Sequence, residues 1–188
     1  SGRDITHMPP HEIGGRNVIF MPGGRGVVPD MTVKENLLLA GWANPEEATE
    51  AGLAEVLEIF PRLVERYDAK AGVLSGGEQQ QLALAQAFLQ KPKLLMIDEL
   101  SLGLAPTIVG QLIEIVKEIN RRGIAVIVVE QSVTVALAFA ERAVHMAKGR
   151  IRFDAPIPQP LRPPDTLPPP PAPAPPPAPR PRPQRAAR

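Results

Sequence analysis

An α/β fold built on a mostly parallel sheet is predicted by three features of the 188-residue sequence. Short apolar runs at Asn17–Met21, Leu94–Ile97 and Ala125–Val129 alternate with longer segments whose apolar residues recur at helical spacing. The last run, AVIVV, is β-branched and free of polar residues, the pattern of a strand buried on both faces. A small-residue turn at Leu74–Gln80 opens a helix, and the strand that follows it ends in two adjacent carboxylates, Asp98 and Glu99. Strand–helix alternation of this kind leads to a parallel sheet covered by helices.

The elements follow in order. Residues 1–16 are polar and turn-rich, with Pro9-Pro10 and Gly14-Gly15 as punctuation. The strand Asn17–Met21 is ended by Pro22-Gly23-Gly24. Thr32 and Glu35 form a capping-box signature for a helix reaching about Leu39. Asn44, Pro45 and the two acids after them predict a second helix, whose apolar face is Leu53, Val56, Leu57 and Phe60. Pro61 breaks it, and Leu63–Tyr67 adds one more turn. Ser75 and Glu78 repeat the capping box for a helix that runs to Lys91-Pro92. After the loop Ser101–Pro106, a long amphipathic helix presents Ile108, Leu112, Ile115, Val116 and Ile119, with Gly123 at its C-terminal cap. A helix over Val133–Ala140 leads to a strand at Ala143–Met146, and Lys148-Gly149 turns it into an antiparallel hairpin with Ile151–Phe153. Four regions result: a first part of the α/β core with the loop after its strand (1–31), a helical subdomain without strands (32–73), the remaining α/β core (74–155) and a tail (156–188).

The tail is proline, alanine and arginine with almost nothing to bury, which predicts a disordered, polyproline-II-biased segment. Its five arginines against the single acid Asp165 carry the basic balance, so the body is mildly acidic. That argues against a nucleic-acid surface on the folded part. Cysteine is absent, which excludes disulfides and thiolate metal sites, and no apolar run reaches membrane-spanning length. His7, His11 and His145 do not cluster in the sequence and read as surface or core residues.

The chemistry is carried by the two motifs together. A helix start offers unpaired N–H groups and partial positive charge, a seat for phosphate. A strand tipped with Asp98-Glu99 offers an oxygen ligand for Mg²⁺ and a base beside it. LSGGEQQ followed at this interval by LLMIDE resembles the signature motif and Walker B of ATP-binding-cassette (ABC) ATPases, members of the P-loop NTPases. Further stretches resemble the ATPase subunits of branched-chain amino-acid importers: residues 4–13, Phe20–Arg25, Pro29–Leu37, Ser101–Pro106 and Val129-Glu130-Gln131. The likeness covers nearly all of residues 4–153.

That resemblance implies an ATP- and Mg²⁺-dependent hydrolase working as a head-to-tail dimer. Its partners would be a second ATPase subunit and the integral permease subunits, at the cytoplasmic face of the inner membrane. Asp98 would hold Mg²⁺ through water, Glu99 would polarise the attacking water, and Gln131 would stand at the switch position. Ser75, Gly76, Gly77 and Glu78 would meet the γ-phosphate of ATP held by the partner. Ser101, Leu102 and Gly103 would be the D-loop at the dimer seam.

The sequence departs from the family at several points. It contains no G-x-x-x-x-G-K-[ST], so the 188 residues are not expected to hydrolyse ATP alone. Gly23 stands at the position of the Q-loop glutamine, Gln86 where relatives have Arg, and Leu100 where they have Pro. Two explanations of the missing loop stay open: a sequence cut short, favoured by the first residue being Ser, or a degenerate subunit. The degenerate subunit would be an inert binding module that completes a partner's ATP site in trans or acts through its proline-rich tail.

Overall fold

The computed structural model describes residues 2, 4–23, 26–42 and 49–157. Two compact units divide it at Ala140/Glu141.

In the first unit, α1 (Pro10–Gly14) leads to β1 (Val18–Met21), α2 (Val33–Gly41), α3 (Glu50–Ile59) and α4 (Pro61–Glu65). Then come α5 (Gly76–Leu89), β2 (Leu94–Asp98), α6 (Pro106–Arg121), β3 (Ala125–Val129) and α7 (Val133–Leu137). The three strands form a parallel sheet in the order β1-β2-β3, with Phe20 opposite Met96 and Met96 opposite Ile127. The α/β architecture with a parallel sheet is therefore as the sequence predicts.

The centre of the unit is α5. Leu82, Leu84, Ala85, Phe88 and Leu89 are buried almost completely, because α2, α3, α4 and α6 all pack on it. A helix this apolar on most sides is a core helix rather than a surface one. Both predicted capping boxes are present: the Thr32 hydroxyl accepts from Glu35 N–H at 3.1 Å, and that of Ser75 from Glu78 N–H at 3.3 Å. The remaining first-turn donors of α2 find carbonyls, Val33 N–H on Ala69 and Lys34 N–H on Tyr67, both at 3.0 Å.

Asn36, fully buried in α2, ties the loop before it in place. Its Oδ1 accepts from Val28 N–H at 2.8 Å, and its Nδ2 donates to the carbonyls of Thr32 (2.9 Å), Val28 (3.0 Å) and Met31 (3.2 Å). Gln86 reaches across from α5 to donate to the Asn36 carbonyl at 3.1 Å. The departure at Gln86 thus has a structural task, joining α5 to α2.

Several expectations are corrected. The β3 run is not buried on both faces: Val126 and Val128 face the core, but Ile127 and Val129 are 51% and 57% exposed. β-Branched composition marks a strand without saying which faces have a covering layer. Phe20, in register with Ile127 through Met96, is also exposed and Met96 is half-buried, so this row of the sheet is only partly covered among the described residues. The buried stripe of α6 is Val109, Leu112, Ile113, Val116 and Ile119, leaving Ile108 and Ile115 half-buried. Helix α4 starts at Pro61 itself, since a proline that ends one helix suits the first position of the next. Helix α7 stops at Leu137, short of Ala140. The helix start at Asn44 lies outside the described residues; α3 is described from Glu50, with Thr49 as its cap. The proline-rich tail beyond Ile157 also lies outside them. Gly123 sits just past α6 at φ +89°, the left-handed terminating conformation.

An ion-pair cluster holds α3 to the beginnings of two strands. Glu55 bonds to Lys91 and, at 3.0 Å, to Arg122, while Arg122 also pairs with Glu118 at 3.0 Å. The Lys91 ammonium, helped by the Arg122 guanidinium, holds the Glu55 carboxyl below its ordinary value of 4.5 against a partial burial that raises it. A depressed carboxylate contributes stability that is present above 4.5 and is lost as pH falls through the folded value. The thermal midpoint should therefore fall as pH drops below 4.5, and Glu55→Gln should flatten that slope in a melting series.

The second unit carries an antiparallel hairpin of β4 (Arg142–Ala147) and β5 (Arg150–Pro156), as predicted. A bulge interrupts its register between His145 and Met146. Lys148 and Gly149 turn the chain with positive φ, and Arg142 meets Asp154 through two 2.7 Å bonds.

Candidate functional site

The C-terminal ends of β1, β2 and β3 lie side by side, with Met21 opposite Ile97 and Asp98 opposite Val129. Ligands of open α/β sheets bind beyond that edge of the strands. The residues that leave it are Pro22-Gly23, Glu99–Gly103 and Glu130-Gln131, so the sheet gathers most of the predicted site residues at one edge.

Glu99 is the pivot. It follows β2 in the left-handed region, at φ +52°, a conformation that costs a residue with a Cβ about 1 kcal/mol or more. Its N–H donates to the Val129 carbonyl at 2.9 Å, and its carboxylate accepts a hydrogen bond from Gln131 Nε2. The turn of β2 into the loop is thus tied at backbone and side chain to the exit of β3. Leu100 is fully buried and anchors the next step of the chain.

Gly23 comes from β1 to the same place. A Cβ on it would lie 3.3 Å from the Asp98 carbonyl oxygen, 3.4 Å from Glu99 Cβ and 3.5 Å from Glu99 Oε2. A side chain there would run directly along the Glu99 carboxylate; glycine leaves that space open.

Ser101, Leu102 and Gly103 form a tight turn closed by Leu104 N–H on the Ser101 carbonyl at 3.2 Å, with Gly103 at φ +71°. Leu102 projects outward and is 64% exposed. Glu130, which the sequence candidates did not include, accepts from both Ser101 N–H (2.8 Å) and Ser101 Oγ (2.9 Å). Its only signal in the sequence is its place beside Gln131 at the end of a strand.

The turn at Ser75 is built differently. Ser75 N–H and Oγ both donate to Glu78 Oε2 at 2.8 Å, and Arg66 Nε reaches Glu78 Oε1 at 3.4 Å. Burial alone would raise the Glu78 carboxyl; the Ser75 donors and the Arg66 charge outweigh it and leave it lowered. An anion arriving at this helix start would compete with Glu78 for the Ser75 hydroxyl, and Gly76 and Gly77 supply the first-turn N–H groups. No hydrogen bond among the described residues joins Ser75–Glu78 to Asp98, Glu99 or Gln131. The glycines meet the other loop through packing: Cβ atoms on them would lie 3.4 Å from Leu104 Cδ2 at Gly76 and 2.5 Å from Ile108 Cγ2 at Gly77.

Two carboxylates side by side are hard oxygen donors. The described residues bring no cluster of three or more ligating side chains. A donor set so small and oxygen-only suits Mg²⁺, which keeps several waters of its own. Concavities lined by Glu55, Lys91, Lys93 and Arg122 lie at the opposite ends of the strands, where ion pairs fill the charge.

A family model described as ABC transporter matches residues 1–101. The high-affinity branched-chain amino acid transport ATP-binding protein BraG of Pseudomonas aeruginosa is 43% identical over 150 residues, covering 80% of this chain and 64% of that protein. The probable branched-chain amino acid transport ATP-binding protein LivF of Archaeoglobus fulgidus is 33% identical over 155 residues, covering 82% of this chain and 66% of that protein. The chain therefore spans slightly less than two-thirds of the length of these relatives. A crystal structure of an ATP-binding cassette of an ABC transporter in its ADP conformation superposes with a TM-score of 0.69 at 26% identity, over 82% of this chain and 66% of that one.

Proposed function

Because the chain belongs to the ABC transporter family, we propose that it supplies the signature, Walker B and switch portions of an ATP-hydrolysing importer subunit for branched-chain amino acids or similar solutes. The observation that supports this most is the Glu99–Gln131 pair beyond adjacent strand ends, in a chain 43% identical to a branched-chain transport ATP-binding protein. Asp98 would hold the hydrated cation through water, and Mg²⁺ would supply charge neutralisation for phosphoryl oxygens when bound. Glu99 accepts a hydrogen bond from water and orients it. Gln131 fixes the Glu99 carboxylate by donating to it; an amide cannot take up a proton, so its part is positioning. Ser75, Gly76 and Gly77 present a helix start to the phosphate of a neighbouring subunit, and Ser101–Gly103 extends toward that neighbour. The partners are a second ATPase subunit and membrane permease subunits, at the cytoplasmic face of the inner membrane. No helix among the described residues is long and apolar enough to cross a membrane.

A second reading has the chain only lending Ser75–Gly77 to a partner's ATP. The closed capping box around Ser75 favours it, since that turn is complete within these residues. Mixing the 188-residue chain with an ABC ATPase subunit that carries its own phosphate loop tests both. We expect the chain to stimulate Mg-ATP hydrolysis by that subunit, and Ser75→Arg to reduce the stimulation at least about tenfold by obstructing the helix start. Stimulation that survives Ser75→Arg sinks the role given to this turn. Glu99→Gln distinguishes the readings: it leaves the stimulation intact if the chain only lends its signature turn.

A further inference from the structure

We propose that Glu130 is a positioning residue that clamps the Ser101–Gly103 turn to the strand exit carrying Gln131, so that one carboxylate sets the geometry of both loops flanking Glu99. That role in catalysis rests on the ATPase reading of Glu99 and Gln131; the clamp itself does not.

The geometry is a ladder continued past the sheet. Strand pairing of β2 with β3 ends at Asp98 opposite Val129. Beyond it, Glu99 N–H bonds to the Val129 carbonyl, the Glu130 carboxylate takes both Ser101 donors, and Gln131 reaches back to Glu99. Three successive residues on one side, 129–131, hold residues 99 and 101 on the other. Only the first link is made by backbone alone; the two that fix direction are made by side chains.

Glu130 is suited to this as its neighbours are not. Its two oxygens accept one N–H and one O–H from the same residue, at 2.8 and 2.9 Å, so Ser101 is held in position and in orientation. Hydrogen bonds to a carboxylate are stronger than those between neutral groups. The clamp also bears on Glu99. Its left-handed backbone is unfavourable and persists only where the surroundings over-determine it. Bonds on Glu99 itself and on Ser101, two residues later, enclose that conformation from both sides. With Ser101 released, the turn that carries the exposed Leu102 is free to swing.

Amide hydrogen exchange of the 188-residue chain, read residue by residue by NMR, tests the proposal without nucleotide. In Glu130→Ala the Ser101 N–H should exchange about tenfold faster, and those of residues 102–104 faster in its wake, while Leu95, Ile97, Val126 and Val128 keep their rates. Glu130→Gln keeps a carbonyl acceptor of the same length and should restore most of the protection of Ser101. Ser101→Ala removes one of the two bonds from the other side and should give a smaller increase, about threefold, at residue 101. Unchanged exchange at Ser101 in Glu130→Ala overturns the proposal. So does a uniform acceleration across β2 and β3, which would make Glu130 a general stabilising residue. Failure of Ser75-dependent stimulation in the mixed hydrolysis assay counts against the ATPase reading and leaves the exchange result standing.

Discussion

Replacing Gly77 with alanine should destabilise the chain by about 1–3 kcal/mol, the usual cost of forcing a methyl group into a filled space. The added Cβ would lie 2.5 Å from Ile108 Cγ2, a contact that real structures do not tolerate. Ile108 cannot turn the methyl aside easily, because a β-branched side chain in a helix has one favoured rotamer. Ile108→Ala in the same chain removes the obstructing atom. Urea melts of the two single variants and the double variant should therefore show a coupling of about 1 kcal/mol or more, the double variant costing less than the sum. Simple additivity would mean that α5 and α6 do not press on each other here. Gly76→Ala is the control: its Cβ meets Leu104 at 3.4 Å, an ordinary contact, and stability should change by under about 0.5 kcal/mol.

The second large effect concerns Asn36. Leucine in its place should cost about 2–4 kcal/mol, enough to unfold a marginal chain, read as a shift in the urea midpoint at unchanged slope. The loss is not of a single bond. The Val28 N–H would be left without the acceptor at 2.8 Å, and the three carbonyl contacts of the side-chain amide would go with it. Leucine is close in size, so the penalty reads polar satisfaction rather than volume. Asn36→Leu with an unchanged midpoint would show that the loop at residues 27–32 does not depend on this side chain.

These two positions show what was legible in the sequence and what was not. The capping boxes at Thr32–Glu35 and Ser75–Glu78 could be read directly, because both partners sit three residues apart and need nothing from the rest of the fold. A parallel sheet could be inferred from alternation, and the antiparallel hairpin from Lys148-Gly149. Gly77 was legible as a glycine that matters, but the sequence suggested room for phosphate, and the structure adds packing against Ile108, thirty-one residues away in the chain. Asn36 inside an apolar helix carried no local signal; its partners lie in a loop and on another helix. At the candidate site, Glu99 and Gln131 were placed by resemblance, and their direct bond is a tertiary fact. Glu130 lies within a recognisable motif yet carries no signal of its own, since nothing in spacing tells a carboxylate at a strand end that its partner is Ser101. The apolar run of β3 misled for a different reason: alternate burial depends on layers that the run itself does not encode.

That partly covered row has a thermodynamic consequence. Phe20, Ile127 and Val129 are already more than half exposed in the folded chain, so unfolding newly wets only the remaining part of their surface. Heat capacity of unfolding comes mainly from apolar surface newly wetted, and such residues contribute only about half of what fully buried ones would. The stability of this polypeptide should accordingly vary with temperature along a flatter curve than its length implies. A layer laid over the row would steepen that curve as well as raise it, since the same methyl and aromatic groups would then be dry in the native state and wet only on unfolding.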